Sequence, residues 1–248
     1  LDGNAKLPVV DGSQLTNLPA GGATDIDGLS DGHYNTTSLS VGLGTGALNS
    51  EDVTAVRYNV AVGGNALYSN TTGSYNVSSG YGALWSNTTA DDNTASGYRA
   101  LYLNTIGDGN TASGSYALED NTTGDYNTAT GAWSLYNNTT GTGNTASGYR
   151  SLQVNTTGYS NTASGFQVLY SNTTGASNVA VGYEALYGNT SGHNSVAVGR
   201  GALKSQTTTY ENTAVGYNAG TTVTNGNNAL FGAYAGTSLT SGGTNCFY

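Results

Sequence analysis

The stretch NTASGYRALYLNTIGDG, residues 93–109, is followed at once by NTASGSYALEDNTTGDY, residues 110–126. The chain thus returns to Asn-Thr-Ala-Ser-Gly after 17 residues, and this recurrence decides the fold class. Aligned on itself, the sequence places a glycine at Gly63, Gly80, Gly97, Gly114, Gly131, Gly148, Gly165, Gly182, Gly199 and Gly216, always 17 apart, with Gly232 following after 16. Three residues past most of these glycines stands Ala or Ser, as at Ala100, Ala117 and Ser134; Val168 is the exception. Leucine comes next, from Leu67 through Leu101, Leu118 and Leu135 to Leu203. The unit then ends in NTTG or a close variant, as at Asn70, Asn121 and Asn138.

A 17-residue unit is too short for a helix pair, and its Gly and Thr-Thr disfavour helix. Extended chain covers about 3.3 Å per residue, so one unit has a perimeter of about 56 Å. That suits a flattened coil with an interior only wide enough for side chains. We therefore expect an all-β, parallel β-solenoid or β-roll of 17-residue rungs over residues 56–248, preceded by an N-terminal connector or cap over 1–55. N-T-A-S-G reads as one strand of the rung and x-A-L-Y as a second. The repeat glycine serves the corner between them, where positive φ is needed, and NTTG serves the other corner through Asn and Gly turn chemistry.

Residues i and i+2 share a face of a strand. The central Ala (Ala61, Ala95, Ala112 and their copies) and the Leu are assigned inside, and the flanking pairs outside. Those pairs are Thr/Ser in the middle of the chain and Val/Val towards its ends, as at Val60/Val62 and Val179/Val181. The asparagines that open each strand, Asn59, Asn76, Asn93, Asn110 and onward, should stack as a vertical ladder that satisfies their amides. Asn93, Gly97, Leu101, Asn110, Gly114 and Leu118 are thus structural repeat positions, each seated on its own copy. Eleven rungs at about 4.8 Å make a rod about 50 Å long. One Leu and two Ala per rung form a thin core, so a second apolar surface, buried between chains, is expected. On this reading Leu135→Asp unstacks the rod, while Thr122→Ala at a corner is nearly silent.

Composition limits function. Of 248 residues, 38 are Gly and only 8% are charged, yet 19 Tyr and the regular Leu and Ala argue for order. The net charge of −9 with six Lys and Arg lacks the basic footprint of a nucleic-acid binder. The single Cys246 excludes an intrachain disulfide framework. No run of about 18 apolar residues exists, so the chain is not expected to be membrane-embedded.

NTAVGYNAG (212–220), NSVAVGRGAL (194–203) and NVAVGYEALYGNTSG (178–192) resemble repeats of phage tail-fibre proteins. They are also similar to the heads of YadA-type trimeric autotransporter adhesins. LPVVDGSQLTNLP (7–19) and TDIDGLSDG (24–32) look like the connectors common in phage fibres. The resemblance implies a left-handed homotrimer, a structural virion protein whose partners are its own copies and a host cell-surface polysaccharide. The alternative is a bacterial surface adhesin or filament of the same build. The repeat is expected to continue past the end of this sequence.

Aromatic rows are the leading candidate surface. Tyr81, Tyr98, Tyr149, Phe166, Tyr183 and Tyr217 stand one residue after the glycine; Tyr68, Trp85, Tyr102, Tyr136, Tyr170 and Tyr187 stand five after. Tyr81, Tyr98, Trp85, Tyr102, Tyr136, Tyr170 and Tyr187 are candidate glycan contacts, against a favoured reading in which the rows pack or stack. Asp91, Asp108 and Asp125 share one position and form an acidic column that reads as a solvated edge or an oxygen-rich cation site. The N-x-S/T matches at the NTTG corners are accounted for by turn geometry. No catalytic or metal-binding residue and no cofactor is assigned. His33 and His193 share no nucleophile, and Glu119/Asp120 and Asp91/Asp92 are adjacent pairs rather than a flanking pair, so the chain is read as non-enzymatic.

Overall fold

The computed structural model describes residues 32–35, 37–240 and 243–247. The connector motif at 7–19, and that at 24–32 up to its final Gly32, lie outside them. The structure is all-β, a solenoid of about 12 turns with 17-residue rungs. Strand β1 (Gly32–Asn35) runs antiparallel to β2 (Ser40–Leu43). From β2 onward every pairing is parallel and in chain order: β3 (Val60–Val62), β4 (Val77–Ser79), β5 (Thr94–Ser96), β6 (Thr111–Ser113), β7 (Thr128–Thr130), β8 (Thr145–Ser147), β9 (Thr162–Ser164), β10 (Val179–Val181), β11 (Val196–Val198), β12 (Thr213–Val215), β13 (Ala229–Phe231) and β14 (Cys246–Phe247). The register is that of the repeat, with Thr94 opposite Thr111, Ala95 opposite Ala112 and Ser96 opposite Ser113.

The parallel ladder already includes β2, inside the stretch 1–55 assigned to a connector. Val41 pairs with Val60, a spacing of 19 rather than 17, and that longer step hides the first rung from a fixed-period alignment. The 16-residue step at the other end is absorbed without loss of pairing, as Thr213 meets Ala229.

Each rung contains one strand, not two, which corrects the reading of x-A-L-Y. The reason is visible in the burial of its residues. Ala66 and Leu67 are both fully buried, as are Ala100 and Leu101. Consecutive residues of a strand point to opposite faces, so a strand cannot bury both. The chain instead places every one of these leucines in the left-handed region, with φ between +49° and +53° from Leu67 to Leu203. The residue two after each glycine is left-handed too, Arg99 at +54° and Trp133 at +61° among them. Such residues cost of order 1–3 kcal/mol each and persist only where their surroundings over-determine them. Here Leu67 N–H donates to Ala83 O of the next rung at 3.0 Å, and Ser69 N–H to Trp85 O at 3.0 Å. Inter-rung hydrogen bonding therefore continues through a segment that is not extended.

The repeat glycine does occupy a positive-φ corner, between +118° and +144° in every rung. A Cβ on Gly97 would also stand 2.5 Å from Gly114 O. The glycine of NTTG has a different reason. Gly124 has no positive φ, but a Cβ there would lie 2.3 Å from Gly141 O and 2.6 Å from Asn121 Oδ1. Close approach of stacked rungs, not turn geometry, selects it.

The Leu and Ala columns form one continuous buried core, and the outward Thr/Ser and Val/Val pairs are exposed on both sides of the buried Ala from Ala61 to Ala180 and half-buried beside Ala197 and Ala214. Asparagine is also inside, in two columns. In the strand-initial column Asn110 Oδ1 accepts Asn127 N–H at 2.9 Å, and Asn127 Nδ2 donates to Gly141 O at 2.8 Å. In the corner column Asn138 Nδ2 donates to Asn121 Oδ1 at 2.8 Å and to the same Gly141 O at 3.0 Å. All of these amides are fully buried, which also removes the corner N-x-S/T sites from solvent.

One rung departs from both columns together. Ser195 replaces the strand-initial Asn and Gln206 replaces the corner Asn; Gln206 Nε2 reaches Ser195 Oγ at 3.1 Å, and Asn212 Nδ2 donates to Gln206 Oε1 at 3.0 Å. The longer amide fills the space that the shorter hydroxyl leaves.

Three stability tests follow from this packing. Leu135→Asp, which places an unpaired charge in the core, should cost more than about 4 kcal/mol. Thr122 is not silent, since its Oγ1 donates to Thr139 O at 3.0 Å; Thr122→Ala should cost about 1 kcal/mol, read by thermal unfolding. Ser195→Asn and Gln206→Asn should each destabilise singly, while the double variant restores both columns. A double-mutant cycle with coupling of at least about 0.5 kcal/mol is expected, and strict additivity would contradict the compensation.

Candidate functional site

The 17-residue register sets side chains of one repeat position above one another at the rung spacing, about 4.8 Å. Aromatic residues at a shared position consequently meet. Tyr68, Trp85 and Tyr102 stack with ring centroids 5.8 and 5.3 Å apart. Tyr81 and Tyr98 stack at 5.8 Å, Tyr149, Phe166 and Tyr183 at 5.5 and 5.2 Å, and Tyr170 and Tyr187 at 5.2 Å. Interplanar angles in these rows are between 3° and 23°. The structure brings the candidate glycan contacts together as two rows. The row one after the glycine is exposed; the row five after is half-buried. Within each row the ring faces are turned to neighbouring rings.

The middle of the rod breaks the pattern. Glu119 stands where Tyr102 and Tyr136 stand in the adjoining rungs, and Tyr116 and Trp133, one position displaced, stack at 4.4 Å. Trp133 also meets Tyr136 at 4.9 Å. Glu119 is 3% exposed and pairs with Arg99 at 2.8 Å, while Arg99 lies 4.1 Å from the centre of the Tyr102 ring. Burial pushes the Glu119 carboxyl up from its ordinary value; the Arg99 guanidinium and the Tyr136 hydroxyl oppose this, and Asp120 adds to it. Burial likewise raises Asp120, against the pull of Arg99.

Among the described residues the few cations are all engaged. Arg150 lies over Tyr149, Arg200 over Tyr183 and Tyr217, and Lys204 near Tyr187. Arg57 pairs with Asp52 at 3.2 Å. Among the described residues no basic patch is left for a phosphate backbone.

The acidic column has a backbone role that the sequence reading did not give it. Asp91 Oδ1 accepts Ser74 N–H at 2.6 Å, Asp108 Oδ1 accepts Asp91 N–H at 2.8 Å, and Asp125 Oδ1 accepts Asp108 N–H at 2.8 Å. Each carboxylate satisfies a donor of the rung below. Among the described residues no three His, Cys, Asp or Glu side chains converge as a metal would require. His193 stacks on Tyr210 at 5.3 Å and 9°; the side chain of His33 lies outside the described residues. Among the described residues no helix is long and apolar enough to cross a membrane. No known protein family, curated protein or solved structure matches the chain.

Because burial raises the Glu119 carboxyl, the folded state binds its proton more tightly than the unfolded state. The stabilisation is then greatest at acid pH and declines as pH rises through the carboxylate range. The melting temperature of the parent minus that of Glu119→Gln should therefore fall between about pH 4 and pH 7. A difference that grows over that range would mean the Arg99 pairing outweighs burial.

Proposed function

We propose that this chain is a structural fibre segment, the repeat shaft or head of a trimeric phage tail fibre that contacts the host surface. The observation that carries the reading is the outer face of the solenoid sheet. It runs unbroken from rung to rung, and its valines, Val60, Val62, Val77, Val179 and Val181, are each between 38% and 43% exposed in the single chain. A parallel solenoid whose own core is limited to Leu and Ala columns gains stability by covering such a strip with identical copies, and three parallel rods around one axis do so symmetrically. The function is mechanical. Buried amide ladders and continuous inter-rung hydrogen bonding make a stiff, weakly charged rod that holds a receptor-binding tip away from the particle. The likeness of NSVAVGRGAL and its copies to fibre repeats supports the same reading.

Light scattering on residues 1–248 tests it. A mass near three chains is expected, with Val179→Lys/Val181→Lys shifting the population towards single chains. A stable single chain in the parent protein would overturn the trimer.

A further inference from the structure

A sugar ring binds aromatic residues by laying its C–H face on a ring face, and rings in an unbroken stack offer mainly their edges to solvent. Binding capacity therefore belongs at interruptions of the rows. The row five after the glycine is interrupted at Glu119, where Arg99 covers the Tyr102 face and Trp133 packs against Tyr136. It is interrupted again at Gln153, whose own long side chain occupies that position.

A different column is interrupted by a methyl group. Eleven residues after successive repeat glycines stand Tyr159, Ala176, His193 and Tyr210. Tyr159 is 54% exposed and Ala176 8% exposed, so the column drops by the depth of a ring at one rung. A depression of about 310 Å³ opens there, bounded by Tyr159 and His193 along the column. Ser177, Ser191 and Asn194 line it beside them, with Thr174. Two rungs separate Tyr159 from His193, about 9.6 Å at the strand spacing, which admits one ring between them. The back of His193 is braced by Tyr210.

The lining selects the kind of ring. It contains hydroxyls and an amide but no Asp, Glu, Lys or Arg, so it matches a neutral ring bearing several hydroxyls. The volume is at the lower end for ligand pockets, about 300–1,000 Å³, which is the scale of one monosaccharide unit.

We infer that the one-rung gap at Ala176 is a saccharide slot that takes a single neutral pyranose unit between Tyr159 and His193. That the unit belongs to a host-surface polysaccharide rests on the attachment reading above; the slot itself rests on the ring spacing and lining.

The test follows the His193 ring protons by NMR in His33→Gln, which leaves His193 as the single imidazole. The probes are the methyl glycosides of glucose, galactose, mannose and N-acetylglucosamine, with glucuronic acid as the charged contrast. At least one neutral glycoside should give a saturable shift, and glucuronic acid a weaker one. Ala176→Tyr, which completes the column, should weaken that binding at least about tenfold, equivalent to 1.4 kcal/mol. Tyr159→Ala should weaken it as well, and Tyr126→Ala, an exposed ring in another part of the rod, should leave it unchanged. Silence of His193 towards all four neutral glycosides, or equal binding in Ala176→Tyr with an unaltered melting curve, would overturn the slot. A single chain by light scattering with a responsive His193 would instead remove the trimeric fibre and leave the slot standing.

Discussion

Gly141 O accepts two hydrogen bonds from buried side-chain amides, one from Asn127 and one from Asn138, and equivalent carbonyls do so in rung after rung. This convergence is the constraint on which the solenoid depends. A corner of a narrow coil turns its backbone carbonyl inward, where no strand partner exists, and an unpaired buried acceptor costs about 1–3 kcal/mol. Asparagine supplies the donors, and its own Oδ1 is satisfied by the next copy along the rod, except at Asn189, where Gln206 follows in place of Asn. The ladder works where successive rungs present the same residue at the same height, or, as at Ser195 and Gln206, where a change in one column is met by a change in the other. Strict spacing, the tight glycine at the corner and the rarity of insertions all follow from that condition.

The same demand for repetition explains how the rod tolerates so many left-handed residues. A single non-glycine αL residue is a local cost. Here its neighbour above and below adopts the same conformation, so that inter-rung N–H to C=O bonds remain available and the Leu side chain is delivered into the core. Two adjacent residues, Ala and Leu, are thereby buried where a strand would bury only one. The result is a rung with more core per residue than a pleated segment of equal length.

Outside the core, repetition turns single side chains into columns, and the chemistry of each column depends on what stacking does to it. Tyrosines gain ring contacts and lose free faces. Aspartates approach one another but take up backbone donors. Arginines come to rest over rings. The positions that break a column, Glu119 and Ala176, are where the surface acquires individual character, one as a buried ion pair with a raised carboxyl and the other as an open slot. The proposed division of labour, a mechanical rod with a recognition point, follows from this contrast between repeated and interrupted columns.

Much of this was legible in the residues. The period, the all-β class, the inward Ala and Leu, the outward Thr/Ser and Val pairs and the strand-initial Asn ladder could be read because each is a property of one repeat position seen many times. What escaped is what depends on backbone conformation or on two positions acting together. The x-A-L-Y segment looked like a strand, although consecutive buried Ala and Leu were a sign against it. The corner Asn and Gly looked like turn chemistry, whereas the fold uses them as a buried ladder and a point of close approach. Ser195 and Gln206 looked like unrelated deviations until the coil brought them within 3.1 Å. By itself the sequence determined the period and the two faces, because hydrophobic alternation acts along the chain. Only the tertiary structure decided where the chain turns left-handed, which amides share a carbonyl and which column is left open, because those depend on the distance between neighbouring rungs.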